Sequence, residues 1–164
     1  MTHVADAALL SALALSAGAL LWAAASDLSR FLIPNRVCLL LVASYGLVVT
    51  TFPMGPWLAG LAIGLLAFGL GLVLFARGLV GGGDVKLAAP IAAWAGVEHL
   101  SGFMLVTSLA GVALALVMLS PARRLMPRAA GSEAQTGFAQ PMPFGAPLAA
   151  GGLWVLLQHL TATF

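Results

Sequence analysis

Charged residues are scarce. They make up 7% of the 164 residues, against about a quarter in an average soluble domain. A chain so poor in charge cannot cover itself with a polar surface, which excludes an ordinary soluble domain. Its seven basic residues, for a formal net charge of +2, are spread along the chain and give no argument for nucleic acid as a partner. There is a single cysteine, Cys38, so an intrachain disulfide and a multi-cysteine zinc site are both excluded. In its apolar surroundings Cys38 reads as a small buried hydrophobe. His3, His99 and His159 form no His-Glu-x-x-His pattern, which removes the usual ligands of a metalloprotease, and no cofactor is expected.

What is present is apolar: 62% of residues are hydrophobic. They fall in long runs without the alternation of barrel strands, and only helices and closed barrels satisfy the backbone in hydrocarbon. The expected fold is therefore all-α, a polytopic transmembrane helical bundle forming one membrane-embedded domain over residues 1–164. The runs are Ala7 to Ala25, Val37 to Phe52, Trp57 to Phe75, Leu87 to Val97, Gly102 to Leu119 and Phe144 to Leu160, which predicts six spans, the fourth short. The first has Asp6 and no basic residue before it, unlike the positively charged start of a secretory signal, and is expected to remain in the mature protein. Polar connections separate the runs: Ser26 to Arg36, a turn at Pro53 to Pro56, the glycine-rich Arg77 to Lys86, the brief Glu98 to Ser101 and the longer Ser120 to Pro143.

Arg30, Arg36, Arg77, Lys86, Arg123, Arg124 and Arg128 all fall in alternate connections. One face of the membrane thus collects every basic residue, and by the positive-inside rule that face is the cytoplasm, with both termini outside. Arg30, Arg36 and the Arg123, Arg124 and Arg128 group are expected to meet anionic headgroups. Gly60 and Gly64 have the spacing that lets helices approach closely, and Trp22, Trp57 and Trp94 fall near span ends, where indoles favour the interface.

Only five acidic residues exist. Asp6, Glu98 and Glu133 lie in connections and read as solvated. Asp27 and Asp84 differ, because each stands at the cytoplasmic boundary of an apolar run, where a carboxylate facing lipid would cost about 2.5 kcal/mol or more; both should face the bundle interior or a cleft. Asp27 alone reads equally well as a polar residue ending a helix. Asp84 follows Gly81, Gly82 and Gly83, a triple glycine that implies unusual dihedrals or close approach of another backbone. An extended peptide pairing with that backbone and a flexible turn with Asp84 as helix N-cap are both open at this point.

Gly81-Gly82-Gly83-Asp84 resembles the Gly-x-Gly-Asp signature of intramembrane aspartyl proteases, and the continuation Val85-Lys86-Leu87 looks like the type IV prepilin peptidase form. Asp27-Leu28-Ser29-Arg30-Phe31-Leu32-Ile33-Pro34-Asn35 resembles the same family's first-aspartate motif, and Pro143-Phe144-Gly145, continuing to Gly152, is similar to the segment opening its last helix. The resemblance implies a catalytic pair, Asp27 and Asp84, in a bacterial inner-membrane enzyme whose site faces the cytoplasm. It implies a substrate too, prepilin or pseudopilin precursors cut between a short basic leader ending in Gly and the hydrophobic helix. Gly81, Gly82, Gly83, Pro34, Asn35 and Lys86 would bind substrate or shape the site, although Lys86 also reads as a snorkelling anchor. No cysteine-bearing zinc domain separates the first two spans, so the chain looks like the short type found with Flp or tight-adherence pili, and methyltransferase activity is not carried over.

In such a pair two carboxylates share one proton, because like charges a few ångströms apart do not both ionise easily. One accepts a proton from water as it attacks the scissile carbonyl; the other donates to the carbonyl oxygen. A Ser-Lys dyad of Lys86 with Ser26 or Ser29 has no motif behind it. From a different class, a membrane scaffold or small ion-coupled transporter is the alternative; a transporter would carry its ionisable groups near the midplane, whereas these aspartates sit at an edge.

Overall fold

The computed structural model describes residues 2–51, 54–120 and 143–163, all of the regular structure among them being helical. Five helices follow in order: α1 (Thr2–Arg30), α2 (Asn35–Thr51), α3 (Met54–Ala76), α4 (Gly82–Leu119) and α5 (Gly145–Thr163). Three of them, over Ala7–Arg30, Gly55–Ala76 and Gly82–Leu119, are long and apolar enough to cross a membrane, and Asn35–Thr50 is a shorter apolar helix. The loop with Arg123, Arg124, Arg128 and Glu133, the side chain of Asp6, and Pro53 with the side chain of Met54 in the turn lie outside the described residues.

Each turn that matters to the site has a local cause. Helix α1 stops because Phe31 takes a left-handed conformation, φ 53°, and its N–H returns to the Asp27 carbonyl at 2.9 Å, the single-bond form of helix C-cap. The Ser26 hydroxyl then pins the Leu32 carbonyl at 2.7 Å, and Pro34 directs the chain into α2. Helix α3 ends on Gly78, φ 71°. Its N–H bonds the Phe75 carbonyl at 2.9 Å and that of Leu79 bonds Leu74 at 3.0 Å, a Schellman pair that needs glycine at this position.

Helix α4 is 38 residues long, about 57 Å at 1.5 Å per residue and nearly twice the hydrocarbon thickness. It does not run straight. Gly96 has φ 56° and ψ −160°, a region essentially confined to glycine, and the two halves run along α5 in opposite directions. A Cβ placed on Gly152 would lie 3.2 Å from Ile91, and His159 further along α5 bonds the Trp94 carbonyl at 2.7 Å, so the first half runs parallel to α5. The second half meets Phe144 at Gly111, Gly151 at Thr107 and Phe103, and Trp154 at Gly102, the antiparallel order. The reversal therefore occurs at a single glycine rather than over the expected Glu98 to Ser101 connection, because only glycine reaches those dihedrals.

Leu20, Leu41, Leu87, Ile91 and Val155 form the centre of the core, with a buried Ser16–Ser44 hydroxyl pair, 2.7 Å apart, joining α1 to α2. Helix α3 packs on α4 through small residues: a Cβ on Gly64 would lie 2.7 Å from that of Ala93, and one on Gly60 would strike the Tyr45 hydroxyl and the Ala93 carbonyl. Trp94 departs from the interfacial placement expected of it. It is 2% exposed and sits edge-on to Tyr45 and Trp57, ring centroids 5.5 and 6.0 Å away. Ring contacts and a 3.4 Å bond from its indole N–H to the Leu41 carbonyl hold it in the core, at the end of α4's first half remote from Asp84.

Candidate active site

Asp27 and Asp84 come together at one end of the bundle. Asp27 lies in the last turn of α1 and is 5% exposed. The first amides of α5, those of Gly145 and Ala146, face its carboxylate, so the helix N-terminus provides a positive dipole end for an acid in apolar surroundings. Its Oδ2 is buried without a hydrogen-bond partner among the described residues. Asp84, half-buried, is the third residue of α4 after the cap residue Gly81. Its carboxylate turns back on that cap: a Cβ on Gly81 would lie 2.9 Å from Asp84 Oδ2. The acid thus sits where the N3 carboxylate of a capping box sits, not at the N-cap itself. The charge of Asp27 bears directly on Asp84.

The triple glycine has a different basis from the one expected. Gly81 has φ −71°, and the glycines with positive φ are Gly78 and Gly96, so unusual dihedrals are not the reason. Space is the reason at two of the three positions. Gly81 leaves room for the Asp84 carboxylate, and a Cβ on Gly82 would lie 3.1 Å from the Phe75 ring. At Gly83 a Cβ would make an ordinary 3.5 Å contact with Ile33, and no backbone closes on it.

The two aspartate motifs meet through the α1–α2 turn. Pro34 and Asn35 begin α2 beside α4, and Lys86 Nζ approaches Asn35 Oδ1 at 3.4 Å, joining the two elements at the exposed rim rather than pairing with an aspartate. The Ser-Lys alternative has no geometry behind it: Ser26 donates to Leu32 and Ser29 to the Ala25 carbonyl at 2.6 Å. In the sequence Gly145 stands out only as part of the segment opening the last helix, yet it lies directly against the site. A Cβ there would lie 2.8 Å from both Asp27 Oδ2 and Ile33 Cδ1. The signal that marks it is a glycine directly after Pro143-Phe144 at the start of a helix.

A cavity of about 360 Å³ opens beside Asp84. It runs along α3 past Leu70 and Leu74 and is also lined by Val85, Ala88 and Phe103 of α4 and by Phe144, and among the described residues Asp84 is the only ionisable one lining it. A groove of this kind takes up apolar side chains and presents one carboxylate at its end.

Comparison with known proteins points one way. The model of the type IV leader peptidase family matches residues 7–116, a stretch containing both aspartates. A prepilin leader peptidase/N-methyltransferase of Bacillus subtilis (strain 168) is 31% identical over 137 residues, covering 82% of this chain and 50% of that protein. One of Burkholderia pseudomallei (strain 1026b) is 38% identical over 73 residues, 44% of this chain and 20% of that protein. The chain thus spans half the length, or less, of these curated relatives. No solved structure matches.

Proposed function

Because the chain belongs to the type IV leader peptidase family, we propose that it is an intramembrane aspartic endopeptidase that removes the leader from prepilin or pseudopilin precursors, with Asp27 and Asp84 as its catalytic pair. One observation carries this reading: two carboxylates from separate helices converge, close enough for one charge to act on the other, at the end of an apolar groove. Among the described residues both acids face backbone amides, those of Gly145 and Ala146 for Asp27 and that of Gly81 for Asp84.

The pair holds one proton. The ionised partner takes a proton from water as its oxygen adds to the scissile carbonyl carbon, while the protonated partner donates to the carbonyl oxygen. Collapse of the tetrahedral intermediate breaks the C–N bond, the nitrogen leaves protonated, and the pair returns to its singly protonated state. Asp27 Oδ2, buried and without a hydrogen-bond partner among the described residues, is an acceptor available to this chemistry. The groove suits the apolar segment that follows the scissile bond, laid along α3 as an amphipathic or apolar helix is laid in a groove.

The reading extends to topology. Six spans, with the two halves of α4 as separate crossings and both termini outside, put the pair at the cytoplasmic face of a bacterial inner membrane. Arg30, Arg36, Arg77 and Lys86 lie in or beside the turns at the aspartate end, which supports that orientation.

The test is incubation of the purified protein in lipid with candidate precursors, reading the new N-terminus by mass spectrometry. Cleavage at one bond by the native protein, and none by Asp27→Asn or Asp84→Asn at matched amounts of folded protein, is the expected result. Asparagine keeps the acid's shape but cannot carry the shared proton, so either change disables the unit and the double variant is no worse than each single one. Near-normal cleavage by either variant removes that residue from the mechanism.

A further inference from the structure

Ile33 is placed by more constraints than a turn residue needs. Pro34 after it bars the helical region and forces an extended backbone. Before it, the left-handed Phe31 and the Ser26–Leu32 hydrogen bond fix the chain, and beyond it the Val37 N–H holds the Pro34 carbonyl at 3.0 Å. A β-branched side chain has little χ1 freedom, so the direction of Ile33 is set by these contacts. It points between the start of α4, which bears Asp84, and the start of α5, whose first amides face Asp27. Its Cδ1 is 3.5 Å from where a Cβ of Gly83 would stand and 2.8 Å from where one of Gly145 would stand, the latter point also 2.8 Å from Asp27 Oδ2. Two glycines and one isoleucine thus meet beside the buried oxygen.

Ile33 does not line the groove. A peptide whose apolar segment lies in the groove reaches the carboxylates at the groove's end, and the residue on the other side of its scissile bond then comes against Ile33. That wall leaves little room: a methyl at Gly83 would already be in ordinary contact with Ile33, and one at Gly145 would overlap it. We propose that Ile33 is a specificity-determining residue, the wall that limits the residue preceding the scissile bond to the smallest side chains and that shields Asp27 when no peptide is bound. The proposal rests on the proteolytic reading above and names the part of the site that measures the substrate.

The experiment uses the full chain in lipid and four precursors identical except for Gly, Ala, Ser or Val before the scissile bond. For the native protein, kcat/KM should fall about tenfold or more from Gly to Ala, the size of discrimination a tight pocket gives for one carbon. Ile33→Ala should raise kcat/KM for the Ala and Ser precursors and shrink that ratio to about threefold or less, and Ile33→Val should shift it in the same direction by a smaller factor. A merely structural role would lower all four together and leave the ratio unchanged, which would overturn the proposal. A second readout needs no turnover: labelling by dicyclohexylcarbodiimide, located by peptide mass spectrometry, should rise several-fold at Asp27 relative to Asp84 in Ile33→Ala or, should that variant not fold, in Ile33→Val. Unchanged relative labelling also counts against Ile33 as the wall. Should the native protein cut none of the four, the proteolytic reading fails, while the labelling still decides whether Ile33 shields Asp27.

Discussion

Gly145 and Gly83 are both glycines beside an aspartate, and the structure gives them opposite tolerances. Alanine at 145 places a methyl 2.8 Å from Asp27 Oδ2 and from Ile33 Cδ1, so the carboxylate, the isoleucine or the start of α5 must move. Overpacking of this kind costs about 1–3 kcal/mol, and a displacement near 1 Å in a catalytic group costs about a hundredfold in rate. Gly145→Ala should therefore lose cleavage far more than thermal stability, measured on the same detergent-solubilised sample. Alanine at 83 meets ordinary contact in the first turn of a helix, where it gains up to about 1 kcal/mol over glycine. Gly83→Ala should hold or raise the melting temperature, and any loss of cleavage in it reports crowding of a visiting peptide. Asp27 and Asp84 were legible in the sequence because a carboxylate at the edge of an apolar run demands an explanation. The role of Gly145 was not, since its neighbours in space come from the far end of the chain and a missing side chain leaves no periodicity.

Among the helices, α4 shows where pattern reading reached its limit. Apolar runs on both sides of Glu98 to Ser101 suggested two separate segments, and two segments are present. Polarity marks turns and points to that cluster as the connection, whereas the chain reverses at Gly96, within the apolar run. Dihedral freedom decides the position, not polarity. The same logic separates Gly78, which ends α3 through its positive φ, from the more conspicuous triple glycine, which serves space. Gly96→Ala forces a side chain into a region only glycine populates, a strain of about 1–3 kcal/mol. Its expected outcome is a lower melting temperature together with weaker cleavage, because both halves of α4 line the groove, through Asp84 and Val85 before the reversal and Phe103 and Met104 after it. An unchanged melting temperature would mean that the reversal can be made by other dihedrals.

The reversal at Gly96 also bears on the six-span arrangement proposed above. If α4 crossed once, about 57 Å of helix would have to fit hydrocarbon ~30 Å thick, and Arg123, Arg124 and Arg128 would emerge opposite Arg30 and Arg77. In the proposed six-span arrangement, folding back at Gly96 returns the end of α4 to the face from which that helix began, and the basic residues would then share one side, as the positive-inside rule favours. The all-helical architecture was legible from composition alone, since hydrocarbon leaves the backbone few ways to satisfy itself; the number of crossings depends on a dihedral that composition does not display. Reporters fused after Arg30, Arg77 and Arg128 test this directly, one beyond each helix whose polarity is at stake. All three should report the cytoplasm. A periplasmic signal after Arg128, with cytoplasmic signals after Arg30 and Arg77, would mean that α4 crosses once and would remove the six-span arrangement. A periplasmic signal after Arg30 would instead place Asp27, and with it the proposed site, on the outer face. Gly96→Ala gives the matching control: if the reversal sets the crossing number, the fusion after Arg128 should lose part of its cytoplasmic signal in that variant, while the fusions after Arg30 and Arg77 keep theirs.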